Sequence, residues 1–499
     1  MALPPYKQLE QEWRRLHALR GAVSLLRWDA VVMMPRGSAA GRGEQLAALE
    51  TECHAVLTSP KVSRLLERAQ AGQGGLEEWE VANLREMRRQ RDQAFAVPVS
   101  LVTRLARTTA AAEARWAEAR QAGDFALFAP QLEEVLALVR DKAALLGQAL
   151  GLDPYDALID EFSPGVSSAL IDTLMKAYGR RLPGLVQEAI DRQARAPVLP
   201  LVGKFTPSRQ RALATDVLRA VGFPFDRGRL DEASHAFTEG VSGDIRITMT
   251  VQPRDPFVSL LGALHEAGHA LYDLGLPADW RDQPVGQARG MALEESQSLL
   301  LEMLIGRSRA FVRFLRPLLV KHYGIAGPEW DEDNLYRTLT RVRRGAIRVD
   351  ADELTYPLHV MLRHDLERRL LSGALGVRGL RDAWNAGMQQ RFGFVPANDA
   401  EGVLQDAHWA GGAFGYFPLY VVGAAIAAQL AESLQRDVPE LDAAVERGDF
   451  TGLLAWLRRT VHSQGARLSL ADLVKDATGR PLAATAALRH LETRYLENG

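Results

Sequence analysis

The sequence of 499 residues contains a single cysteine, Cys53, and it opens without an apolar leader segment. One cysteine excludes a disulfide within the chain, which is typical of proteins that stay in a reducing compartment. The first twenty residues are charged from the start and show no apolar stretch before a small-residue cleavage site, unlike a secretory signal. We therefore expect a cytoplasmic protein.

The sequence also lacks a long uninterrupted apolar run. Its most apolar stretch, residues 414–430, is interrupted by glycine and proline and is short for a membrane span. A buried core helix is the better interpretation of this stretch, and we expect the protein to have no membrane partner.

Neither sign of charge dominates, because 60 basic residues face 62 acidic ones and the net charge is −2. This balance offers no electrostatic argument for binding nucleic acid or an anionic membrane. The sequence has no fixed-period repeat, low-complexity tract or Gly/Ser-rich linker. Length alone would suggest roughly two to four domains, but nothing marks a clean boundary between them.

Most of the sequence carries the three-and-four spacing of apolar residues that is typical of amphipathic helices. One such group is Leu132, Val135, Leu136 and Val139. Prolines lie between the apolar runs, where helices begin or end. They include Pro98, Pro130, Pro154, Pro164 and Pro183. The pattern predicts a mainly α fold.

Residues 244–252 break the helical pattern, because polar and apolar side chains alternate along them without exception. This alternation and the β-branched residues within it predict a half-buried strand. Pro253 ends the strand, and a helix follows it. An exposed strand edge beside that helix can hydrogen-bond the backbone of an extended peptide.

The helix after the strand carries the run His265-Glu266-Ala267-Gly268-His269. Residues four apart share a helix face, so His265 and His269 can direct both imidazoles at one metal ion. Glu266 lies about 100° further round the helix, where it can act as a general base on water without ligating the metal. A chance run on an ordinary helix is the alternative, and the rarity of this spacing argues against it. The run predicts the site of a zinc-type metallopeptidase.

A catalytic zinc site usually takes a third protein ligand and leaves one position for water. The variant of the motif that supplies a third histidine shortly after the second is excluded, because Tyr272 and Gly275 stand where its glycine and histidine would be. Residues 291–301 form a helical run with two adjacent acids, Glu294 and Glu295. Spacing allows either acid to be the ligand, and a solvated acidic face is the alternative.

The chain resembles the thermostable metallocarboxypeptidase family, the carboxypeptidase Taq type, over nearly its whole length. Short motifs match that family in order. The matching segments are Leu26-Arg27-Trp28-Asp29, Met34-Pro35, Glu44-Gln45-Leu46, Asp244-Ile245-Arg246-Ile247-Thr248, the metal-binding run at 265–269, Glu295-Ser296-Gln297-Ser298, and residues 347–359, 402–409 and 414–420. Each match alone is weak, but their order over some four hundred residues is highly specific.

The resemblance implies a single, largely helical domain over residues 1–499 with a deep active-site groove, similar to neurolysin and angiotensin-converting enzyme. The N-terminal helices, roughly residues 1–100, are expected to form one wall or lid of that groove. The resemblance also implies a homodimer that releases single amino acids from peptides with a free C-terminus. It makes Glu295 rather than Glu294 the third ligand of one divalent ion. We expect Zn²⁺, although Co²⁺ accepts the same ligands.

The catalytic roles follow as hypotheses. Glu266 is expected to take a proton from the attacking water and to pass it to the leaving amine. The developing oxyanion needs hydrogen-bond donors besides the metal. By similarity to the His and Tyr pair of related peptidases, the candidates are His408 and Tyr420, with Tyr416 as the alternative tyrosine.

A carboxypeptidase must also bind the free C-terminal carboxylate, for which the fork of a guanidinium is best suited. Arg348 and Arg246 are the candidates, because both lie inside matched motifs. His235 is a further candidate for contact with the C-terminal end of the substrate. A structural role is favoured over an orienting one for Asp352, Glu353 and His359.

The sequence departs from the family pattern at three positions near these motifs. Ala236 replaces the proline of a His-Pro-Phe motif, Glu294 replaces a histidine, and Leu299 replaces an arginine. The metal ligands are retained, so we expect the differences to affect substrate preference. An endo-acting oligopeptidase of the same fold is one alternative function. A non-catalytic peptide-binding protein with a vestigial site is another, and the intact ligand set argues against it.

Overall fold

The computed structural model describes residues 3–241 and 243–497. Within these ranges the chain folds mainly into α-helices, and the strands form one sheet of three. This confirms the mainly α fold with a small β element that the sequence predicts.

The N-terminal helices are α1 (Pro5–Val32), α2 (Ala39–Leu57), α3 (Pro60–Ala71) and α4 (Glu78–Ala96). Their apolar faces meet in a hydrophobic cluster that is separate from the main core. Contacts across to the rest of the chain include a hydrogen bond of 3.2 Å from Asn83 Nδ2 to Gln283 Oε1 and stacked rings of Trp79 and Trp280. These helices therefore form a unit with a small core of its own.

The next helices are α5 (Val99–Ala122), α6 (Ala129–Leu150), α7 (Pro154–Phe162), α8 (Ser168–Gln193) and α9 (Pro207–Ala220). The predicted apolar group of α6 is buried, as expected. The prediction that Pro183 marks a helix boundary is wrong, because this proline lies inside α8. The helix continues through it since Leu182 and Leu185, on either side, are both fully buried in the core.

The sheet comprises β1 (Gly228–Glu232), β2 (Thr238–Val241) and β3 (Asp244–Met249). β3 is central, parallel to β1 and antiparallel to β2. Ile245, Ile247 and Met249 are buried, which confirms the strand predicted from residue 244, although it ends at Met249 rather than at residue 252. β1 and β2 were not predicted, because they are short and their charged and glycine residues hide any alternation.

The C-terminal half contains α10 (Pro256–Gly275), α11 (Met291–Leu299), α12 (Arg309–Tyr323), α13 (Glu332–Leu339), α14 (Tyr356–Leu371), α15 (Leu380–Phe392), α16 (Pro418–Asp437), α17 (Leu441–Glu446), α18 (Thr451–Thr460), α19 (Leu470–Thr478) and α20 (Thr485–Glu492). π-Helical turns, Leu300–Ile305 and Thr493–Glu497, extend α11 and α20. The apolar stretch at 414–430 leads into α16, which is largely buried, as predicted. In the described ranges, no helix combines the length and the apolar character that crossing a membrane requires.

α10 and α11 approach each other closely at Gly268. A Cβ atom added at this glycine would lie 2.7 Å from the carbonyl oxygen of Gln297 and would overlap the backbone of Ser298. A backbone neighbour cannot move aside as the end of a flexible side chain can, so the position excludes any side chain. The crossing therefore depends on glycine at this point of the predicted metal-binding run.

We predict that Gly268→Ala lowers the free energy of unfolding by about 2–3 kcal/mol, because the added methyl group forces the two helices apart. Chemical denaturation with the metal-free protein measures this loss. Gly43→Ala is the matched control, since Gly43 lies in α2 with open space around it, and there alanine is expected to stabilise the helix by up to about 1 kcal/mol. Equal stability of Gly268→Ala and the parent would contradict the close crossing.

Candidate metal centre

The metal-binding run lies in the middle of α10. The helix starts where the Asp255 side chain accepts a hydrogen bond from the backbone N–H of Phe257, with Pro256 in the first turn. Apolar residues such as Leu260 and Leu264 are buried in the core. His265 and His269 lie on the remaining face with their side chains 23% and 22% exposed, which leaves the imidazoles accessible.

Glu295 of α11 completes a group of three potential ligands. One atom each of His265, His269 and Glu295 lies within 4.8 Å of the others. Oε2 of Glu295 lies 3.8 Å from Nε2 of His265 and 3.7 Å from Nε2 of His269. Two imidazoles and a carboxylate are a donor set that suits a divalent transition metal, and especially zinc. Of the two acids that spacing left open, the structure places Glu295 in this group.

A second carboxylate orients the first imidazole. Nδ1 of His265 lies 3.0 Å from Oε2 of Glu302, and Arg307 Nη2 donates to the other oxygen of Glu302 at 2.9 Å. A carboxylate on Nδ1 fixes the tautomer that presents Nε2 to a metal. The sequence-based predictions missed Glu302, although its position two helical turns after Glu295 offered a signal.

The predicted base, Glu266, faces the same site. Its side chain is 6% exposed, and Thr238 Oγ1 of β2 donates to its Oε2 at 2.7 Å. Burial raises the pKa of the Glu266 carboxyl above its ordinary value. Strand β2 thus fixes the direction of the carboxylate, a contact that sequence reasoning missed because β2 itself was not predicted.

The electrostatics of the group favour a cation. Burial lowers the pKa of His265, but the carboxylates of Glu295 and Glu302 reverse this effect and raise the pKa to about 10. Burial and the charge of His265 lower the pKa of His269 to about 3. Burial raises the pKa of Glu295 to about 7, and Glu302 and Glu266 add to this rise. A bound divalent ion would stabilise neutral imidazoles and ionised carboxylates, the forms that ligate metals.

The candidate substrate residue Arg348 is held by Asp406. Nε and Nη2 of Arg348 donate to Asp406 Oδ1 at 3.1 and 2.8 Å, and Nη1 donates to the hydroxyl of Tyr356 at 3.1 Å. Arg363 of α14 donates from Nε to the other oxygen of Asp406 at 2.7 Å. Burial raises the pKa of Asp406, but Arg363 and Arg348 outweigh it and hold that pKa well below the ordinary value. Arg348 is therefore fixed between a carboxylate and a phenol.

Aromatic side chains surround Arg348 and adjoin the candidate ligands. The guanidinium lies 5.5 Å from the ring centre of Tyr420, and the rings of Tyr416 and Tyr420 are 5.6 Å apart. Burial raises the pKa of Tyr416 to about 12, and the charge of Glu295 contributes to the rise. The tyrosine hydroxyls hence keep their protons and can donate hydrogen bonds near Glu295.

The ring of His408 lies beside the same tyrosines, 5.4 Å from that of Tyr416. Burial lowers the pKa of His408 to about 4, so its imidazole is neutral at pH 7 and has one N–H to donate. Its Nδ1 is buried, and no hydrogen-bond partner for it occurs among the described residues. The structure thus brings His408, Tyr416, Tyr420 and Arg348 into one wall next to the candidate ligands.

Two other candidates lie apart from this wall. Arg246 donates to Asp244 at 3.1 and 2.7 Å, and its guanidinium stacks 4.3 Å from the ring centre of Trp28 in α1. His235 is exposed in the loop between β1 and β2. These contacts give Arg246 a role in holding α1 against β3.

The three residues expected to be structural have contacts that explain that role. Asp352 accepts hydrogen bonds from the backbone of Arg343, Leu354 and Thr355. Glu353 binds the C-terminal residues His490, Arg494 and Tyr495. His359 is completely buried against Phe392.

The three departures from the family pattern lie close to the metal helix and the ligand. Ala236 packs beside Gly262 of α10. Glu294 precedes the ligand, and burial, with the charge of Asp273, raises its pKa to about 7. Leu299 is buried at the end of α11.

Comparisons with known proteins extend over the whole chain. A family model described as carboxypeptidase Taq (M32) metallopeptidase matches residues 8–495. The chain is 34% identical over 501 residues to thermostable carboxypeptidase 1 of Thermus thermophilus, and the match covers 98% of each. It is similar to the structures of Trypanosoma cruzi metallocarboxypeptidase 1 (TM-score 0.96, 39% identity, 99% of each chain) and of an M32 carboxypeptidase from Deinococcus radiodurans R1 (TM-score 0.92, 34% identity, 99% of each chain).

We predict that Glu302→Gln weakens metal binding about 10- to 100-fold. The reason is that a neutral amide accepts the hydrogen bond from Nδ1 of His265 more weakly than a carboxylate does. Competition with a chelator of known affinity measures the dissociation constant. Glu432→Gln is the control, since Glu432 of α16 pairs with arginine side chains, as Glu302 does with Arg307, but has no contact with a candidate ligand among the described residues, and this variant should bind the metal like the parent. An unchanged dissociation constant in Glu302→Gln would show that Glu302 does not orient the ligand.

Proposed function

The chain belongs to the carboxypeptidase Taq family of metallopeptidases, and on that premise we propose that His265, His269 and Glu295 hold one zinc ion with which the enzyme hydrolyses the last peptide bond of its substrates. The observation that carries the proposal is the convergence of these three side chains within 4.8 Å. The protein is a metallocarboxypeptidase that uses a divalent metal and acts on peptides. What we propose beyond this is the role of each residue and zinc as the metal.

In this mechanism Glu266 is the general base. A divalent cation held by His265, His269 and Glu295 would supply Lewis-acid chemistry, which polarises carbonyls and lowers the pKa of water. The Glu266 carboxylate, oriented by Thr238, takes the proton of the attacking water and delivers it to the leaving nitrogen. The raised pKa of Glu266 favours the first step, since a carboxylate of higher pKa is a stronger base and accepts the proton of water more readily.

His408 and Tyr420 are proposed to stabilise the oxyanion as the carbonyl becomes tetrahedral, with Tyr416 as the alternative donor. Their protonation supports this role: the imidazole is neutral, and burial raises the pKa of the Tyr420 hydroxyl well above its ordinary value. Each group therefore has a proton to donate at pH 7, and hydrogen bonds to developing charge in a site sheltered from water are strong.

Arg348 is proposed to bind the C-terminal carboxylate of the substrate. Of its five N–H donors, contacts with Asp406 and Tyr356 occupy three, which leaves one on each terminal nitrogen. Two such donors match the two oxygens of a carboxylate. Arg246 is the second candidate; it also keeps free N–H donors, but its guanidinium lies against Asp244 and Trp28 rather than beside Tyr420. His235, exposed in its loop, is proposed to contact the C-terminal end of the substrate.

The relatives are named carboxypeptidases, so the exopeptidase function takes precedence over the endo-acting alternative. We also propose a homodimer, which sedimentation would test. The N-terminal helices are proposed to form one wall of the groove, because α1 contacts strand β2. Gly240 N of β2 donates to Ser24 Oγ of α1 at 2.9 Å, and Thr238 of the same strand donates to Glu266.

We predict that Glu266→Gln retains the metal and loses about 10²- to 10⁴-fold in kcat, because the amide cannot accept the proton of water. Elemental analysis should find one zinc per chain in the variant and in the parent, and hydrolysis of a peptide with a free C-terminus measures the rate. Glu188→Gln, a surface change in α8, should have the parent's kcat. A Glu266→Gln enzyme as fast as the parent would refute the mechanism.

We predict that Arg348→Gln lowers kcat/KM for peptides with a free C-terminus by about 30-fold or more, equivalent to about 2 kcal/mol or more for a buried charge pair. The same peptides with an amidated C-terminus should lose far less, so the preference for the free acid shrinks. Arg246→Gln is the matched comparison and should keep that preference. If the preference disappears in Arg246→Gln and persists in Arg348→Gln, Arg246 binds the carboxylate instead.

A further inference from the structure

Helix α14 carries two buried, oppositely charged residues four positions apart, Arg363 and Glu367, each with no exposed side-chain surface. Four-residue spacing places both on one helix face. Arg363 binds Asp406, whereas Glu367 accepts hydrogen bonds from Trp409 and from the backbone of Gly415. The two residues thus hold both ends of residues 406–416, which we name the His408 segment.

Glu367 is bound by neutral donors from two parts of the fold. Trp409 Nε1 donates to its Oε1 at 2.8 Å. The backbone N–H of Gly415 and the hydroxyl of Tyr155 in α7 both donate to its Oε2 at 3.0 Å. None of these three donors is a cation, and Arg363 acts on Glu367 only through its charge at longer range. The carboxylate therefore has a full set of hydrogen bonds but no direct ion pair in the described part of the chain.

Such a residue is a poor source of stability. Burying a carboxylate without an ion pair is costly, and burial raises the pKa of Glu367 to about 7. Above this pKa, the folded protein keeps a charge in an unfavourable environment. A leucine or glutamine would fill the same space without a buried charge, but it would leave at least one of the three donors without an acceptor. What the carboxylate supplies here is a set of acceptors that holds three donors at defined positions.

The donors adjoin the residues proposed for catalysis. Trp409 directly follows His408, and Gly415 directly precedes Tyr416. Gly415 has a φ of +81°, and a Cβ atom there would lie 3.0 Å from the backbone nitrogen of Ile159 in α7. The backbone next to Tyr416 is therefore fixed from both sides, by α7 and by Glu367.

We propose that Glu367 is a positioning residue for the peptidase reaction, which acts by holding the His408 segment so that His408 and Tyr416 face the candidate metal ligands. This inference rests on the roles proposed above for these two side chains. Glu367 itself contacts neither substrate nor metal. Its effect on the reaction passes through the hydrogen bonds to Trp409 and Gly415.

The test compares Glu367→Gln with the parent in steady-state hydrolysis of a peptide with a free C-terminus. An amide has one accepting oxygen and one donating nitrogen, so at least one of the three donors loses its acceptor. We expect kcat to fall about 10- to 100-fold, since a small misplacement of catalytic groups has effects of this size. The KM value, the zinc content and the melting temperature should stay near those of the parent.

Tyr155→Phe and Tyr178→Phe form a matched pair that removes one hydroxyl each. Tyr155 donates to Glu367, and its hydroxyl also lies 3.0 Å from Nδ1 of His364, whereas the buried hydroxyl of Tyr178 in α8 has no hydrogen-bond partner among the described residues. Tyr155→Phe should lower kcat by a smaller factor than Glu367→Gln, and Tyr178→Phe should leave it unchanged. If Glu367→Gln does not fold, Tyr155→Phe alone decides, because a lower kcat at unchanged KM supports the inference and an unchanged kcat overturns it.

His408→Ala and Tyr416→Phe, assayed in parallel, distinguish a failure of the positioning role of Glu367 from a failure of the catalytic roles proposed for His408 and Tyr416. If these variants lose activity and Glu367→Gln has the parent's kcat, the positioning role is wrong and the proposed function stands. If neither His408→Ala nor Tyr416→Phe changes kcat/KM, both the catalytic roles and the inference are wrong. A Glu367→Gln variant that loses kcat only in proportion to lost folded protein would also overturn the positioning role.

Discussion

The crossing of α10 and α11 is the constraint on which the metal centre depends. Two imidazoles on one helix face cannot form a catalytic site alone, and the third ligand has to come from a helix that passes within van der Waals distance. Gly268 permits this approach, because the backbone of α11 occupies the space where a side chain would be. On the other side, Gly423 of α16 packs against Glu295, where a Cβ atom would lie 3.0 Å from the side chain of the ligand. Small residues on both neighbours thus determine where the Glu295 carboxylate lies.

Around this crossing the protein buries several charged side chains whose partners restrict their direction. Glu302 lies between His265 and Arg307, and Asp406 lies between Arg348 and Arg363. Buried ion pairs contribute little net stability, because desolvation offsets most of their attraction. Their benefit here is geometric, since a candidate ligand or a guanidinium held at two points has few alternative rotamers. The large apolar core stabilises the fold, and the buried charged residues orient the side chains of the candidate site.

Particular elements show how far prediction from the sequence extends. The strand at 244–249 was predictable, because its alternation is a local property of the chain, whereas β1 and β2 are strands only because β3 lies between them. The partner residues Thr238 and Glu302 were missed for a similar reason. Thr238 contacts Glu266 across an antiparallel pairing, and Glu302 contacts His265 from another helix. Nothing in the local sequence marks Thr238 as part of the site, and for Glu302 the one signal is its position two helical turns after Glu295.

The sequence by itself determined the helical class, the pair of histidines with an intervening glutamate, and, through ordered motifs, the family. These features depend on residue type and spacing within one element, where helix geometry alone sets which side chains share a face. Only the tertiary structure decided which arginine lies beside the candidate ligands, with Arg348 in the aromatic wall and Arg246 paired with Asp244. It also revealed Glu367 behind the His408 segment. Such contacts join residues that are distant in the chain, and their geometry arises from the packing of whole helices rather than from any local pattern.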